Sequence, residues 1–378
     1  MSSKHVLITG GLGFIGVNLA KELAGHAWDV RLFDNLSPQI HGMLPHIDAD
    51  ILSSPQVEVV RGDVRDGDAL KTALRGVDSI VHLAAETGTA QSMYQIAHYN
   101  HVNSQATASL MDLLANEPHS VKKLVLASSR SVYGEGAYRC QEHGLVFPDA
   151  RSVADLQSHR WDLRCSVCSK LVRPVPTPES AVQNPASIYA ATKLAQEHLV
   201  RIAGGALNIP TVVLRLQNVF GAGQSLNNPY TGILSIFSTR IRRGMTLPIF
   251  EDGLESRDFV HVEDVCWAFR LALESDSPDG KVLNVGSGKP VSVMQVAELL
   301  VDMLGGSVRP AVTGQYRLGD IRHCYADLTQ VSDALGYSPK VDINEGLRRF
   351  ADWVLTQPLP EDGLDRANEE LKKNGMMA

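Results

Sequence analysis

An α/β chain carrying a doubly wound parallel sheet is what the 378 residues encode. Three observations say so. Apolar strand-like runs alternate with amphipathic stretches through about residue 135, a glycine cluster follows the first run directly, and an aspartate closes the second. The length is about twice that of a typical domain, so a second lobe or large additions are expected.

HVLITG (5–10) is the first run, and Gly16–Leu23 after it is amphipathic. DVRLFD (29–34), VEVVRGD (57–63), DSIVHLAA (78–85) and KKLVLASS (122–129) are the next four, with a second amphipathic stretch at Ser104–Ala115. Strand, crossover helix, strand, repeated in this way, gives a parallel sheet covered on both faces. TVVLRLQNV (211–219) and KVLNVGS (281–287) are further strands, and helices are expected at 187–203, 230–243, 263–274, 292–304 and 344–356. Residues 136–183 break the rhythm. They hold three of the five cysteines and the stretch RPVPTPE (173–179), and they read as an insertion. The expected division is residues 1–215 for the sheet domain with its insertion, 216–356 for a smaller C-terminal α/β lobe, and 357–378 for a polar tail.

Lysine and arginine number 35 against 42 acidic residues, and the net charge of −7 offers no global field to nucleic acid or an anionic membrane. No run approaches the ~18 apolar residues of a membrane span. The N-terminus MSSKHVLITGGLGFIG lacks the apolar stretch of a signal peptide. Five cysteines in a chain of this size do not make a disulfide scaffold, so a soluble cytoplasmic protein with reduced thiols is expected.

The motif TGGLGFIG places Gly10, Gly13 and Gly16 three apart between a strand and a helix. Glycine serves there because the turn is tight, the backbone must approach a pyrophosphate, and the helix packs close on the strand. The helix N-terminus then offers free N–H groups to phosphate. Asp34 ends the second strand eighteen residues beyond Gly16, where a carboxylate accepts both ribose hydroxyls of a dinucleotide. Its charge would repel a 2′-phosphate, so NAD is expected over NADP. Asp63 in GDVRD either reaches the adenine amino group or serves as a turn or capping aspartate.

Tyr189 and Lys193 in YAATK share one helix face, a turn apart. An ammonium beside a phenol, helped by a positive nicotinamide ring, favours the phenolate needed for a base near neutral pH. Ser129, at a strand end in SSRSVYG, is positioned to hydrogen-bond the hydroxyl whose proton Tyr189 removes.

Taken together, TGGLGFIG, HLAAETGTAQS, SSRSVYG, YAATK and RDFVHVEDV resemble the extended short-chain dehydrogenase/reductase family, in particular its nucleotide-sugar epimerases and dehydratases, over about residues 4–350. The resemblance implies a Rossmann-type fold, with Ser129, Tyr189 and Lys193 as the catalytic set. It places NAD against Gly10, Gly13, Phe14, Ile15, Gly16, Asp34, Asn35, Asp63, Val64, Leu83, Ala84, Ala85, Asn103 and Ser128, besides Tyr189 and Lys193. The neighbours of Asn103 depart from the family pattern N-V-x-G-T. Asn218 and Arg257 match positions contacting a sugar nucleotide, the arginine on its diphosphate, and Arg322 is a second candidate for diphosphate or nucleoside. For Arg322 a surface arginine is the alternative. Thr87 and Ser92, beyond a strand's C-terminal end, are expected to line the sugar pocket, with Glu86 and Gln91 left open.

A 4,6-dehydratase needs an acid and a base beside the catalytic Ser/Thr, and Arg130 and Ser131 stand there instead. What remains is 4-epimerisation through a transient 4-keto sugar. A C6 carboxylate on the sugar would want an additional basic pocket residue, and none is identifiable from sequence. A net oxidoreductase and a non-catalytic sensor are the other readings. Within the insertion, Cys140-x-x-His143 and Cys165-x-x-Cys168 offer four ligands at a spacing that suits a structural zinc, the alternatives being a reduced CxxC or an adventitious disulfide. Cys266 and Cys324 fall in apolar patterns and are expected in the core. The insertion and the segment that follows resemble a branch whose members epimerise dTDP-L-rhamnose at C4, with UDP-hexose 4-epimerases as the alternative. By the same resemblance a homodimer is expected to pair through Ser104–Ala115 and Ile188–Ala203.

Overall fold

The computed structural model describes residues 4–42, 49–228, 230 and 232–378. Seven strands form the main sheet: β1 (Lys4–Thr9), β2 (Trp28–Asp34), β3 (Val57–Arg61), β4 (Ser79–His82), β5 (Lys123–Ser129), β6 (Thr211–Leu216) and β7 (Val282–Val285). Their order is β7-β6-β5-β4-β1-β2-β3, and every pairing is parallel. All residues of β4 and β6 are buried, as strands covered on both faces must be. The seven expected strands are the seven found.

Two apolar clusters lie against the sheet, one built around Leu19, Leu32, Val265 and Phe269, the other around Leu7, Leu70, Leu110 and Val200. The covering helices include α1 (Phe14–Ala24), α2 (Ala106–Asn116) and α3 (Ile188–Leu207). A π-turn over Asn100–Gln105 leads into α2. Ser187 caps α3 by accepting from Ala190 N, and Asn208 ends it in the left-handed region at φ 53°.

The smaller lobe contains α4 (Ile233–Arg242) and, further along the chain, α6 (Val293–Met303) and α7 (Ile343–Thr356), which enclose a core of Phe237, Leu247, Val296 and Phe350. Its strands Asn218–Phe220 and Ser256–His261 are parallel, and Pro290–Ser292 joins antiparallel. Between them, α5 (Val262–Glu274) packs on α1 and buries Cys266. Cys324 is buried as well, so both cysteines are interior as expected, but Cys324 lies beside Arg130, Thr177 and Asp258 and not in an apolar cluster.

The expected boundary at 215/216 does not hold as a clean division. The chain leaves the sheet after β6 and returns to it at β7, because α5 supplies the crossover that two neighbouring parallel strands require. Nor is 357–378 a tail: α8 (Leu364–Lys373) buries Leu364, Ala367 and Leu371, an apolar stripe hidden in a polar composition. The insertion makes a small antiparallel sheet of Tyr138–Cys140, Gly144–Val146 and Arg173–Pro174, with a short helix at Val153–Gln157.

Candidate active site

The order of strands reverses between β1 and β4, and the glycine turn lies at the C-terminal end of β1 beside that switch point, where open α/β sheets bind ligands. Gly10 has φ +67°, and a Cβ there would sit 2.8 Å from Ala84 N. At Gly16 a Cβ would meet Gly11 O at 2.5 Å. Phe14, Ile15 and Gly16 form the first turn of α1, whose N-cap is Gly13 with no capping side chain. The first amides of α1 are therefore left for a pyrophosphate. Leu83, Ala84 and Ala85 run alongside, Leu83 N donating to Thr9 O at 3.1 Å.

Asp34 is buried at the end of β2. Its Oδ2 accepts from Leu12 N at 3.0 Å and its Oδ1 from Leu36 N at 2.8 Å. These contacts aim the carboxylate along the glycine turn, and His41 Nε2 lies 3.7 Å from Oδ1. Asp63 is differently employed. Arg65 N and Nε donate to one oxygen, and Arg65 Nη2 and Asn35 Nδ2 to the other. Those four donors fill a carboxylate's acceptor sites, and the bonds to Arg65 hold its pKa far below the usual range. These bonds are those of a turn aspartate. Asn35 is tied to it, and Val64 is buried behind.

Asn103 and Ser128, expected against the cofactor, turn their side chains elsewhere. Asn103, in the π-turn, accepts from Glu86 N at 2.8 Å and donates to Glu86 O and to Thr192 Oγ1 at 3.1 and 3.0 Å. It thereby locks the loop after β4 onto α3. Ser128 Oγ donates to Glu197, which is itself paired with Arg215 in a buried ion pair at 2.7 Å.

Ser129 and Tyr189 meet at the end of β5. The Ser129 hydroxyl is within hydrogen-bonding reach of the phenol and accepts from Ser131 Oγ at 2.9 Å. Burial raises the Tyr189 pKa above its ordinary value, while the bond from Ser129 and the charge of Arg130 pull it down. Lys193 is buried, and burial lowers its pKa to about 8 against the opposing pull of Glu197. Its Nζ donates to Ala127 O at 3.0 Å. A positive charge that pulls on Tyr189 in this arrangement is that of Arg130.

A cavity bordered by Arg130, Ser131 and Ser187, chain neighbours of Ser129 and Tyr189, is shared with the smaller lobe. Thr89, Arg130, Ser131, Ser187 and Asn218 line its inner end; Pro248, Phe250, Glu255, Arg257, Val293 and Arg317 line the rest, with Leu364 of α8 at its wall. Asn218 accepts from Arg130 Nε at 2.8 Å. Arg257 is braced by Ser256 O at 2.9 Å and Arg322 O at 3.1 Å. The Arg317 guanidinium stacks 4.6 Å from the Phe250 ring centroid. Burial among carboxylates leaves Glu255 with its pKa raised to about 7, Arg257 opposing.

Three expected substrate residues are placed otherwise. Arg322 is only 1% exposed, neither surface residue nor free ligand: its guanidinium is held by Asp162, Glu251 and Asp252 at 2.6–3.2 Å. Ser92 is fully buried, donates to Thr89 O and accepts from Tyr189 N at 3.0 Å, so it positions the base. Thr87 is exposed and its neighbour Thr89 lines the cavity instead. Arg130, Arg317 and Phe250 were not assigned to the site from sequence. Arg130 alone carried a signal, standing just past the C-terminal end of β5.

A glycine turn at the switch point, an acidic strand end beside it, and a serine–tyrosine pair whose chain neighbours line a cavity with three arginines define a dinucleotide-dependent enzyme acting on an anionic substrate. The chain belongs to the NAD dependent epimerase/dehydratase family, whose model matches residues 6–149 and 168–286; the unmatched stretch between them lies inside the insertion. NAD is the family's cofactor, and the open backbone at Gly10 together with Asp34 fits it. The chain is 36% identical to a dTDP-L-rhamnose 4-epimerase of Burkholderia thailandensis over 97% of this chain and 98% of that one. Among solved structures it is similar to a UDP-N-acetylglucosamine 4-epimerase of Methanobrevibacter ruminantium in complex with UDP-N-acetylmuramic acid, at 29% identity and a TM-score of 0.76, covering 95% and 100%. It is also similar to MoeE5 in complex with UDP-glucuronic acid and NAD, at 28% identity and a TM-score of 0.74, covering 93% and 99%.

Proposed function

We propose that the protein is an NAD-dependent nucleotide-sugar 4-epimerase that inverts C4 of dTDP-L-rhamnose to give dTDP-6-deoxy-L-talose. The observation that carries this is one cavity lined both by Arg130, Ser131 and Ser187, the chain neighbours of Ser129 and Tyr189, and by Arg257. NAD, held by the glycine turn and Asp34, supplies a hydride acceptor and donor when bound. Ser129 orients the C4 hydroxyl and Tyr189 takes its proton, then returns it to the 4-keto sugar. Arg257 grips the diphosphate throughout, so the sugar is free to turn its other face while the nucleotide stays in place. The relative from Burkholderia supports the sugar and base. Assembly as a homodimer through α2 and α3 is part of the same proposal.

One observation favours a second reading. Arg130 places a buried guanidinium next to Tyr189, and its Nη1 has no hydrogen-bond partner among the described residues. This is the additional basic residue that a sugar with a C6 carboxylate would want, so UDP-glucuronate is the alternative substrate. Incubating the purified protein separately with dTDP-L-rhamnose, UDP-glucuronate and UDP-glucose, with NMR of the products, tests both. Inversion of the rhamnose nucleotide at a kcat/KM above the uronate's is expected. Preference for the uronate would replace the first reading with the second.

A further inference from the structure

The insertion brings Cys140, His143, Cys165 and Cys168 together, their four ligand atoms all within 4.8 Å of one another. Cys140 Sγ lies 3.7 Å from His143 Nδ1 and 3.6 Å from Cys168 Sγ, and Cys165 Sγ lies 3.6 Å from His143 Nδ1. Zinc takes sulfur at about 2.3 Å and nitrogen at about 2.0–2.1 Å, so the corners of its tetrahedron stand about 3.5–3.8 Å apart. A disulfide would bring two sulfurs to about 2.05 Å. All of these cysteines are free thiols.

The backbone is folded to present this set. Cys140 ends its strand, and Gly144 at φ +69° turns the chain back just beyond His143. Cys165 and Cys168 sit on a tight hairpin closed by Cys165 N to Lys170 O and Ser169 N to Cys165 O, both 2.8 Å, with Ser169 at φ 58°. The surrounding apolar core is small: Tyr138, Leu163 and Val172 are buried there, together with Cys140 and Cys165 themselves. So small a core around the four ligands does little against the chain entropy of this end of the insertion, whereas a metal there offsets it.

We propose that these four residues bind one zinc ion, through three thiolates and His143 Nδ1, as a closed structural site. The thiol protons leave to solvent on binding. The ion ties the strand that begins the insertion to the hairpin that returns from it. The chain between them carries Arg151 and Asp162, which meet Glu251 and Arg322 of the smaller lobe, and Trp161, which packs near Tyr316. The zinc therefore sets the frame for the wall that carries Arg317.

Metal analysis of the purified full chain by mass spectrometry is expected to find about one zinc per chain. Protein from cobalt-supplemented growth should show the visible bands of tetrahedral cobalt(II) and sulfur-to-metal charge transfer. His143→Cys should retain the metal, while His143→Ala, at an exposed position, should lose it to a chelator at a concentration that leaves the parent loaded. Cys165→Ser with Cys168→Ser should abolish the charge-transfer band. Metal-free protein with unchanged melting temperature, or an intact mass two hydrogens low from a Cys pair, would overturn the site.

Discussion

At the residue scale, Tyr189 is a base whose surroundings pull in opposite directions. Burial holds the proton on; the Ser129 hydroxyl and the Arg130 charge release it. Turnover should therefore rise with pH as the phenol ionises. Removing a positive charge raises the pKa of a neighbouring acid, so in Arg130→Met the rising limb of the kcat profile should move up by about one unit, a tenfold loss at a pH on that limb. Tyr189→Phe should lose about 10²–10⁴-fold at every pH. A profile left in place by Arg130→Met would remove that guanidinium from the base's environment. The motif spacings revealed the glycines, Asp34, Ser129, Tyr189 and Lys193 because each stands at a fixed distance from a strand end or helix start. Arg322 could not be read this way. Its partners Asp162 and Asp252 are 160 and 70 positions away in sequence, and nothing local marks it as buried.

At the scale of elements, one buried polar chain ties the cofactor half together. Thr9 Oγ1 on β1 meets His82 Nδ1 on β4 at 2.7 Å, and His82 Nε2 meets Thr107 Oγ1 on α2 at 2.9 Å. Gln196 on α3 donates to the same threonine at 2.7 Å. Burial, with the Lys193 charge adding, pushes the His82 pKa down to about 3. An unfolded histidine titrates near 6.5, so between about 6.5 and 3 the unfolded chain binds more protons than the folded one. The stabilising contribution is full above 6.5 and is lost as pH falls through that window, at a limiting slope of about 1.4 kcal/mol per unit. Urea unfolding of the parent and of His82→Gln at pH 7, 6 and 5 should show the difference between them shrinking toward acid. A constant difference would mean that His82 titrates in the fold as it does in the unfolded chain, and a difference growing toward acid would mean that it is protonated in the fold. Strand periodicity made β1 and β4 legible, yet this chain was invisible, since Thr9, His82, Thr107 and Gln196 come into line only when four elements pack. The same is true of Ser92 and Asn103, which read as pocket and cofactor residues and instead hold α3 in place.

At the scale of the whole molecule, the lobe that shapes the cavity is threaded between two strands of the sheet and closed by the chain's last residues. The sequence disclosed all seven sheet strands. It did not disclose that α5 belongs to the sheet, nor that residues 357–378 dock, because their apolar positions are few and far apart. The docking is specific. Tyr316 N donates to Ala378 O at 2.8 Å, Ala378 N to Tyr316 O at 3.2 Å, and Leu318 N to Met376 O at 3.0 Å. These three bonds bracket Arg317, whose Nη2 also donates to Asn368 of α8 at 2.9 Å. Deleting Met376, Met377 and Ala378 removes bonds worth about 0.5–1.5 kcal/mol each and leaves the Gly10 turn, Asp34 and Tyr189 untouched. If Arg317 and Phe250 hold the nucleotide end of the substrate, the shortened chain should show KM raised about tenfold, the equivalent of 1.4 kcal/mol, with kcat nearly unchanged. Bound NAD, read by its absorbance after denaturation, should stay at the parent level. A fall in kcat and NAD content at constant KM would instead place the effect of the C-terminus on the cofactor half and detach Arg317 from substrate binding.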